Sequence, residues 1–257
     1  MRDSIRPVAI AVTLLAGSAV SAQMDEFRID TDVFLGEEKE PFAQNITIFT
    51  AGLVYDFPMI GPEEITVFDP TRGRFVLLDT ERRVKTTLST QELLEFTAAM
   101  KVQADEAGGV FAAAAHPQFE QSVDNDGEWL TLQSKLLTYR AKGATPKIQD
   151  AAASYQQFAN WYARLNATRP GSLPPFARIE LNRALVEKGW IPEEVELTVN
   201  PPSRLVGRKL VVRSRHLPYW RLSNTDRKRI DTAGTHMVEF EAVSFKQYIR
   251  AADTARE

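Results

Sequence analysis

The side chains best suited to chemistry in this chain include three histidines, His116, His216 and His236. They lie far apart in sequence, and none has the His-x-x-x-His or His-Glu-x-x-His spacing that places metal ligands on one helix face. A Ser/His/Asp triad needs no fixed spacing, but the sequence contains no Gly-x-Ser-x-Gly nucleophile elbow. The chain also has no cysteine, which rules out thiol catalysis and thiolate metal sites. We therefore expect a non-enzymatic protein without a metal site or cofactor.

Residues 124–128 read Asp-Asn-Asp-Gly-Glu, which resembles part of a calcium-binding loop. If Asp126 and Gly127 occupy the fifth and sixth loop positions, Ser122 is first and Gln133 is twelfth. Calcium loops carry a carboxylate and a bidentate Glu at those two positions, so two strong ligands are missing. The same residues favour a tight hairpin turn, which is our interpretation.

Basic residues are concentrated near the C-terminus. Residues 201–257 carry 12 Lys and Arg against 6 Asp and Glu, whereas residues 23–200 carry 17 against 27. The segment 204–229 interleaves basic and aromatic residues, a pattern that suits an anionic headgroup or polyanion but also a solvated or internally paired strand face. The candidate residues for an acidic partner are Arg213, Arg215 and Arg227.

The N-terminus has the pattern of a secretory signal peptide over residues 1–22. Arg2 and Arg6 precede an apolar run over residues 8–16, and residues 20–22 read Val-Ser-Ala, a small-residue cleavage signature. The apolar run is shorter than the ~20 residues that a membrane span needs, which argues against the alternative of an uncleaved anchor. We expect export to the periplasm or medium, a mature chain beginning at Gln23, and no membrane span in that chain. Nucleic acid is therefore not an expected partner.

Strand patterns dominate the first part of the mature chain. Three short runs with a two-residue period lie between Glu64 and Leu88, and the turns between them fall at residues 69–73 and 79–82. This spacing predicts a β-meander. Residues 27–33 and 45–57 add earlier strands, the second interrupted by a bend at Gly52. A few strands alone are unstable in water, so the rest of the chain must cover this sheet.

Helix signals follow the meander. Ser89 and Glu92 form a capping box that opens a helix, and helices are also predicted over residues 146–167 and 176–188. Between the first two helices we predict a hairpin with strands over 119–123 and 129–140. Apolar residues at helical spacing in the second helix are typical of core packing rather than of a ligand site; they are Phe158, Trp161, Tyr162 and Leu165. Later strands are predicted over 195–199, 209–216 and 238–242, with short helices that begin after Ser223 and Ser244.

Strands and helices occur in separate blocks, which predicts an α+β fold with a curved antiparallel sheet covered by helices. Such a sheet is compatible with a half barrel. We expect a single domain over residues 23–257. The alternative is a subdivision near residue 143, with a sheet-rich part over 23–143 and a helical part with C-terminal strands over 144–257.

Four segments resemble a known family. They read Phe27-Arg-Ile-Asp-Thr-Asp-Val-Phe, Asn45-Ile-Thr-Ile-Phe, Ile65-Thr-Val-Phe-Asp-Pro and Arg74-Phe-Val-Leu-Leu-Asp, and a helix follows them. In strand pattern, residues 25–105 resemble the start of LolA/LolB-like lipoprotein-carrier proteins. The resemblance implies a half barrel closed over by helices and a carrier role, and it transfers no functional residue. Segments near Asn160 and Leu173 also look like those of uncharacterised exported bacterial proteins.

Our leading hypothesis is an apolar cavity, between the sheet and its helices, that binds a lipid or a lipidated partner. Candidate lining residues, from either face of the strands, are Phe49, Leu53, Tyr55, Phe68, Phe75 and Leu77. The competing hypothesis is a structural or interaction protein of the cell envelope whose basic C-terminal face binds an acidic partner. The sequons at Asn45 and Asn166 matter only in a host that glycosylates exported proteins.

Overall fold

The computed structural model of the protein describes residues 26–61, 63–200 and 209–254. Its strands are β1 Phe27–Leu35, β2 Ala43–Phe49, β3 Val54–Ile60, β4 Glu64–Asp69, β5 Arg74–Asp79, β6 Val84–Ser89, β7 Glu120–Val123, β8 Trp129–Gln133, β9 Leu137–Ala144, β10 Ile191–Val199, β11 Leu210–Tyr219 and β12 Glu241–Ala242. Its helices are α1 Thr90–Ala107, α2 Gly109–Ala115, α3 Ala151–Asn166, α4 Phe176–Glu187, α5 Asn224–Glu239 and α6 Phe245–Thr254. The predicted signal peptide, residues 1–22, lies outside the described residues.

The twelve strands form one open sheet in the order β12-β6-β5-β4-β3-β2-β1-β11-β10-β9-β8-β7. Neighbouring strands are antiparallel, except that β12 runs parallel to β6. Strand β11 joins the two parts of the sheet, because it pairs with β1 on one side and β10 on the other. Residue 143 lies inside β9. The prediction of an α+β fold with a curved antiparallel sheet and covering helices is confirmed.

Local sequence signals explain the central meander. Strands β4, β5 and β6 pair as predicted. Gly73, in the first turn, has a φ of +55°, and an added Cβ would lie 2.9 Å from Oγ1 of Thr90, so this turn requires glycine. Ser89 caps α1 through the predicted capping box with Glu92. The meander therefore leads directly into the first helix.

Different helices cover the two faces of the sheet. The inner face, which carries Ile29 and Phe49, packs against Phe158 and other residues of α3 and α6. Farther along, β8–β10 pack against α2 and α4 on the same face. The outer face, which carries Ile48, packs against Ala233 and other residues of α5 over strands β2–β5. The inner face is therefore covered at both ends of the sheet, whereas α5 covers only one part of the outer face.

The strand predicted over residues 129–140 is wrong, because the chain turns back between Gln133 and Leu137 to give β8 and β9. No Gly or Pro marks this turn. Instead, the hydroxyl of Ser134 donates to the Leu137 carbonyl at 3.0 Å and accepts from its N–H at 3.2 Å. A Ser side chain that bonds to nearby backbone can replace the usual turn residues.

Two helix boundaries also differ from the prediction. Helix α3 begins at Ala151 rather than Pro146, and Ile148, which precedes the helix, packs against the inner-face core. Val238, predicted as extended, lies in α5, which continues to Glu239 while it packs against the outer face. The Ala-rich run before His116, for which sequence left helix and loop open, forms α2.

Candidate functional site

A cavity of about 260 Å³, here called cavity 1, lies between the inner face and helix α3. Residues of β1, β2, β3 and β11 form its floor, because alternate residues of a strand point to the same face. Residues of α3 form its roof, and Arg178 of α4 contributes to its wall. The lining mixes aliphatic and aromatic side chains with a few polar groups, which is the usual composition of a small-molecule site.

Asp56 is the carboxyl group of cavity 1 and is only 4% exposed. Its Oδ1 accepts a hydrogen bond from Thr47 Oγ1 at 2.7 Å. Its Oδ2 accepts from Asn45 Nδ2 at 2.6 Å and from the Tyr162 hydroxyl at 2.9 Å. Desolvation by burial raises the pKa of Asp56, although these three hydrogen bonds oppose the shift. The same environment raises the pKa of Tyr162, which therefore stays protonated and remains a donor.

His216 lies on β11, directly opposite Thr31 of β1. Its Nδ1 is 3.1 Å from Thr31 Oγ1, and its Nε2 is 2.9 Å from Ser214 Oγ. Burial, with a smaller effect from the Arg178 guanidinium, lowers the pKa of His216 to about 3. The ring is therefore neutral near pH 7 and brings no charge to cavity 1.

Arg178 is the cationic side chain of cavity 1. Its Nε donates to Asn182 Oδ1 at 3.0 Å, and its Nη2 donates to the Tyr155 hydroxyl at 3.2 Å. Asn182 in turn donates to Asn160 Oδ1 at 2.9 Å, so this network connects α4 to α3. A guanidinium has five N–H donors. The remaining three on Arg178 have no hydrogen-bond partner among the described residues.

Two further cavities adjoin cavity 1 along the inner face. Cavity 2, of about 520 Å³, shares Asp56 and Tyr162 with cavity 1, so the hydrogen bond between these residues lies at their common wall. Cavity 3, of about 460 Å³, shares Glu64 and Arg169 with cavity 2. Arg169 Nη2 and Glu64 Oε1 form a 2.8 Å ion pair at that second wall. The three cavities thus form a row, divided by two side-chain contacts.

The six predicted apolar ligand residues do not come together at this site. Four of them, Phe49, Phe68, Phe75 and Leu77, belong to the inner-face core. Leu53 and Tyr55 pack with the outer-face core beside α5 instead. Phe49 stacks on Phe27 with ring centroids 4.3 Å apart, and Phe68 stacks on Phe75 at 4.6 Å. Leu77 alone among the six lines one of the three cavities, cavity 3.

The predicted basic residues share the outer side of the sheet without forming one cluster. In register, Arg215 lies between Glu194 of β10 and Asp32 of β1, and Arg213 lies opposite Glu196. Arg213 also donates to the backbone carbonyls of residues 36 and 38. Arg227, on α5, forms a 3.0 Å ion pair with Glu26. Of these three arginines, only Arg227 forms an ion pair within the described residues, whereas Arg213 and Arg215 lie opposite acidic residues in register. Their role in binding an acidic partner stays a prediction.

The other residues that the sequence singled out occupy separate places. His116 pairs with Asp105 at 2.8 Å on the surface, and the His236 ring lies 4.4 Å from that of Phe240. Asp124 begins the turn between β7 and β8, as predicted, and its Oδ1 accepts two backbone N–H groups. Within residues 26–61, 63–200 and 209–254, no group of three or more His, Asp or Glu is arranged to hold a metal ion, and no helix could span a membrane.

Both predicted glycosylation sequons lie at the cavities. Asn45 donates its amide to Asp56 inside cavity 1, and Asn166, at the end of α3, lines cavities 1 and 2. A glycan on Asn45 would have to replace this hydrogen bond.

Known proteins do not identify the chain. No family model and no curated protein matches it. The resemblance to lipoprotein carriers over residues 25–105 therefore stays a prediction.

Sequence reasoning missed most polar residues of cavity 1, among them Asp56, Tyr155, Arg178 and Ser214. One signal was present for Asp56, since a charged residue interrupts the apolar run from Leu53 to Phe57 on the face shared with Val54. The other three come from α3, α4 and β11, which lie far from β3 in sequence. The core prediction is right for Phe158 and Leu165, which are buried, and Trp161 and Tyr162 are half-buried and pack against the same core. Phe158 and Tyr162 also line cavity 1.

Proposed function

We propose that this protein is an exported, non-enzymatic binding protein that holds an amphipathic, lipid-like molecule beneath helix α3. The observation that carries the proposal is the row of three adjoining cavities along the inner face. Two of them, at about 520 and 460 Å³, fall within the roughly 300–1,000 Å³ typical of ligand pockets. A row of this kind suits a ligand that is longer than it is wide.

The lining supports an amphipathic ligand rather than a purely polar one. Val33, Phe158 and Ala163 present apolar surface in cavity 1, and Leu77 and Phe245 do so in cavity 3. Polar side chains are interspersed among them and would fix the orientation of a bound molecule. The ligand we propose therefore has a long apolar part and one polar head.

The hydrogen bonding of the titratable groups supports binding rather than catalysis. Both ring nitrogens of His216 already contact the hydroxyls of Thr31 and Ser214. Both carboxyl oxygens of Asp56 already accept hydrogen bonds. A general base must reach the proton that it removes, and either group would do so in competition with these existing contacts.

An exposed apolar rim supports a carrier role. Phe42 and Ile60, which line cavity 2, are 63% and 44% exposed, and the neighbouring Met59 is 50% exposed. Large apolar side chains clustered at a surface mark sites of contact with a lipid surface or another protein. A rim at the cavity mouth would allow a lipid to enter without crossing bulk water, in agreement with the resemblance to lipoprotein carriers.

The proposal is tested by native mass spectrometry of the mature protein, purified without detergent from an exporting host. We expect one amphipathic small molecule per chain, released on denaturation and identified in an organic extract. A protein that carries no such molecule, and that binds none when titrated with long-chain acids, alcohols and phospholipids, would contradict the proposal.

A further inference from the structure

We propose that Arg178 binds the head of this ligand and that the head is a carboxylate, so that the ligand is a long-chain carboxylic acid. This inference rests on the proposed function. It adds the chemical class of the ligand and the residue that selects it.

Arg178 has N–H groups at the cavity that are free to bind a ligand. Two of its five N–H groups, on Nε and Nη2, bond to Asn182 and to the Tyr155 hydroxyl. These two contacts hold the guanidinium plane in place against α3 and α4. The other three N–H groups have no hydrogen-bond partner among the described residues. A fixed guanidinium with free donors is suited to bidentate binding of a carboxylate.

The charge of Arg178 is also uncompensated in the described part of the chain. No ion pair to it lies within 4.0 Å there, whereas Arg28, Arg169 and Arg183 each contact a carboxylate. Arg178 is half-buried. A half-buried guanidinium without an ion-pair partner can accept an anion that enters the cavity. An anionic ligand head would supply the missing partner.

The other polar groups near Arg178 limit the head to one negative charge. Arg178 donates to the Tyr155 hydroxyl, and the Tyr155 ring lies 6.4 Å from the ring of His216, so Arg178 lies on the β11 side of cavity 1. The neutral ring of His216 adds no charge there. One guanidinium balances the single charge of a carboxylate but not that of a phosphate dianion.

Asp56 would keep the acidic head away from the β3 side. Three strand spacings separate β11 from β3, which amounts to about 14 Å. A second carboxylate beside the buried Asp56 would be unfavourable, because two carboxyl groups that share one site do not both ionise readily. The head therefore belongs with Arg178, and the apolar chain extends toward cavity 2.

The test compares dodecanoic acid with dodecanol, which has a similar chain and no charge. Binding of both is measured by calorimetry on delipidated protein, for the wild type and for Arg178→Met, Arg178→Lys and Arg183→Met. Arg183 lies on the same helix, is exposed and pairs with Glu180 and Glu187, so it is a matched control.

We expect Arg178→Met to weaken binding of the acid about 10- to 100-fold, the range for a hydrogen bond to a charged group, and to leave binding of the alcohol unchanged. Arg178→Lys should recover part of this loss, and Arg183→Met should bind like the wild type. If the wild type binds both compounds and Arg178→Met does not discriminate between them, the carboxylate assignment is wrong while the proposed function stands. If the wild type binds neither compound, the carboxylate assignment is wrong, and the proposed function fails as well if the purified protein carries no amphipathic molecule and binds no phospholipid.

Discussion

The hydroxyl of Tyr162 donates a 2.9 Å hydrogen bond to Oδ2 of Asp56, a carboxyl group that is 4% exposed on the inner face of β3. This contact joins the roof of the site, α3, to its floor. It also lies at the wall between cavities 1 and 2. The same hydrogen bond thus contributes to stability and divides the space that we assign to the ligand.

Removal of this hydroxyl should destabilise the fold. We expect Tyr162→Phe to lower the free energy of unfolding by about 1–3 kcal/mol, because Asp56 would lose one of three donors while it stays buried. Urea denaturation at pH 7 measures the change. The control is Tyr139→Phe, because the Tyr139 hydroxyl has no hydrogen-bond partner in the described residues. Equal stability of the two variants would contradict the structural role of the contact.

Asp56 should also make stability depend on pH. Because burial raises its pKa above 3.8 in the folded state, the folded protein retains a proton that the unfolded chain has lost. The contribution of Asp56 is therefore most favourable below pH 3.8 and declines as the pH rises through the folded pKa, by at most about 1.4 kcal/mol per pH unit. The stability of the wild type relative to Asp56→Asn should fall as the pH rises from 4. A difference that stays constant with pH would show that the pKa is unshifted.

His216 should make stability depend on pH in the opposite sense, with lower stability at lower pH. Its folded pKa of about 3 lies below 6.5, so the unfolded chain binds the proton first as the pH falls. The stability that neutral His216 contributes above pH 6.5 should be lost as the pH falls from 6.5 to 3, by up to about 1.4 kcal/mol per pH unit. This decline should be absent in His216→Gln and retained in His116→Gln, which changes an exposed histidine. Denaturation curves at pH 7, 5.5 and 4.5 test it, and an unchanged decline in His216→Gln would refute the assignment.

The outer-face arginines offer a test between the two hypotheses from the sequence. In Arg215→Glu, a third acidic side chain would lie between Glu194 and Asp32. Each of the two like-charged pairs should lower the free energy of unfolding by about 0.2–1 kcal/mol. The loss should shrink at about 1 M salt, where the Debye length is about 3 Å. Arg221→Glu, on an exposed loop position, is the control. If Arg215→Glu costs no more than this control, the neighbouring acidic residues do not interact with Arg215, and the interaction hypothesis gains support.

Much of the fold could be predicted because its signals are local. The meander follows from alternating residues and turn signals, and the capping boxes at Ser89 and Ser223 mark helix starts directly. The turn between β8 and β9 could not be predicted in this way, because it depends on a Ser134 side chain rather than on Gly or Pro.

The site could not be predicted because it depends on long-range pairing. His216 meets Thr31 only because β11 pairs with β1, two strands separated by about 180 residues. Arg178 reaches the site through the packing of α4 on α3. The aromatic residues that we predicted to line a cavity do lie on strands, but Phe68 and Phe75 stack on each other in the core. A cavity arises where that packing stops, and alternation of residue types alone does not reveal this position.

The central claim, a ligand site beneath α3, is tested most directly by a larger side chain on α3 that fills cavity 1. Ala163 lines the cavity, whereas Ala153 lies on the exposed side of the same helix. Both are replaced by Leu, and the amount of small molecule that co-purifies per chain is measured by native mass spectrometry. We predict that Ala163→Leu loses most of the bound molecule while Ala153→Leu carries as much as the wild type. Equal loads in the two variants would contradict a ligand site beneath α3.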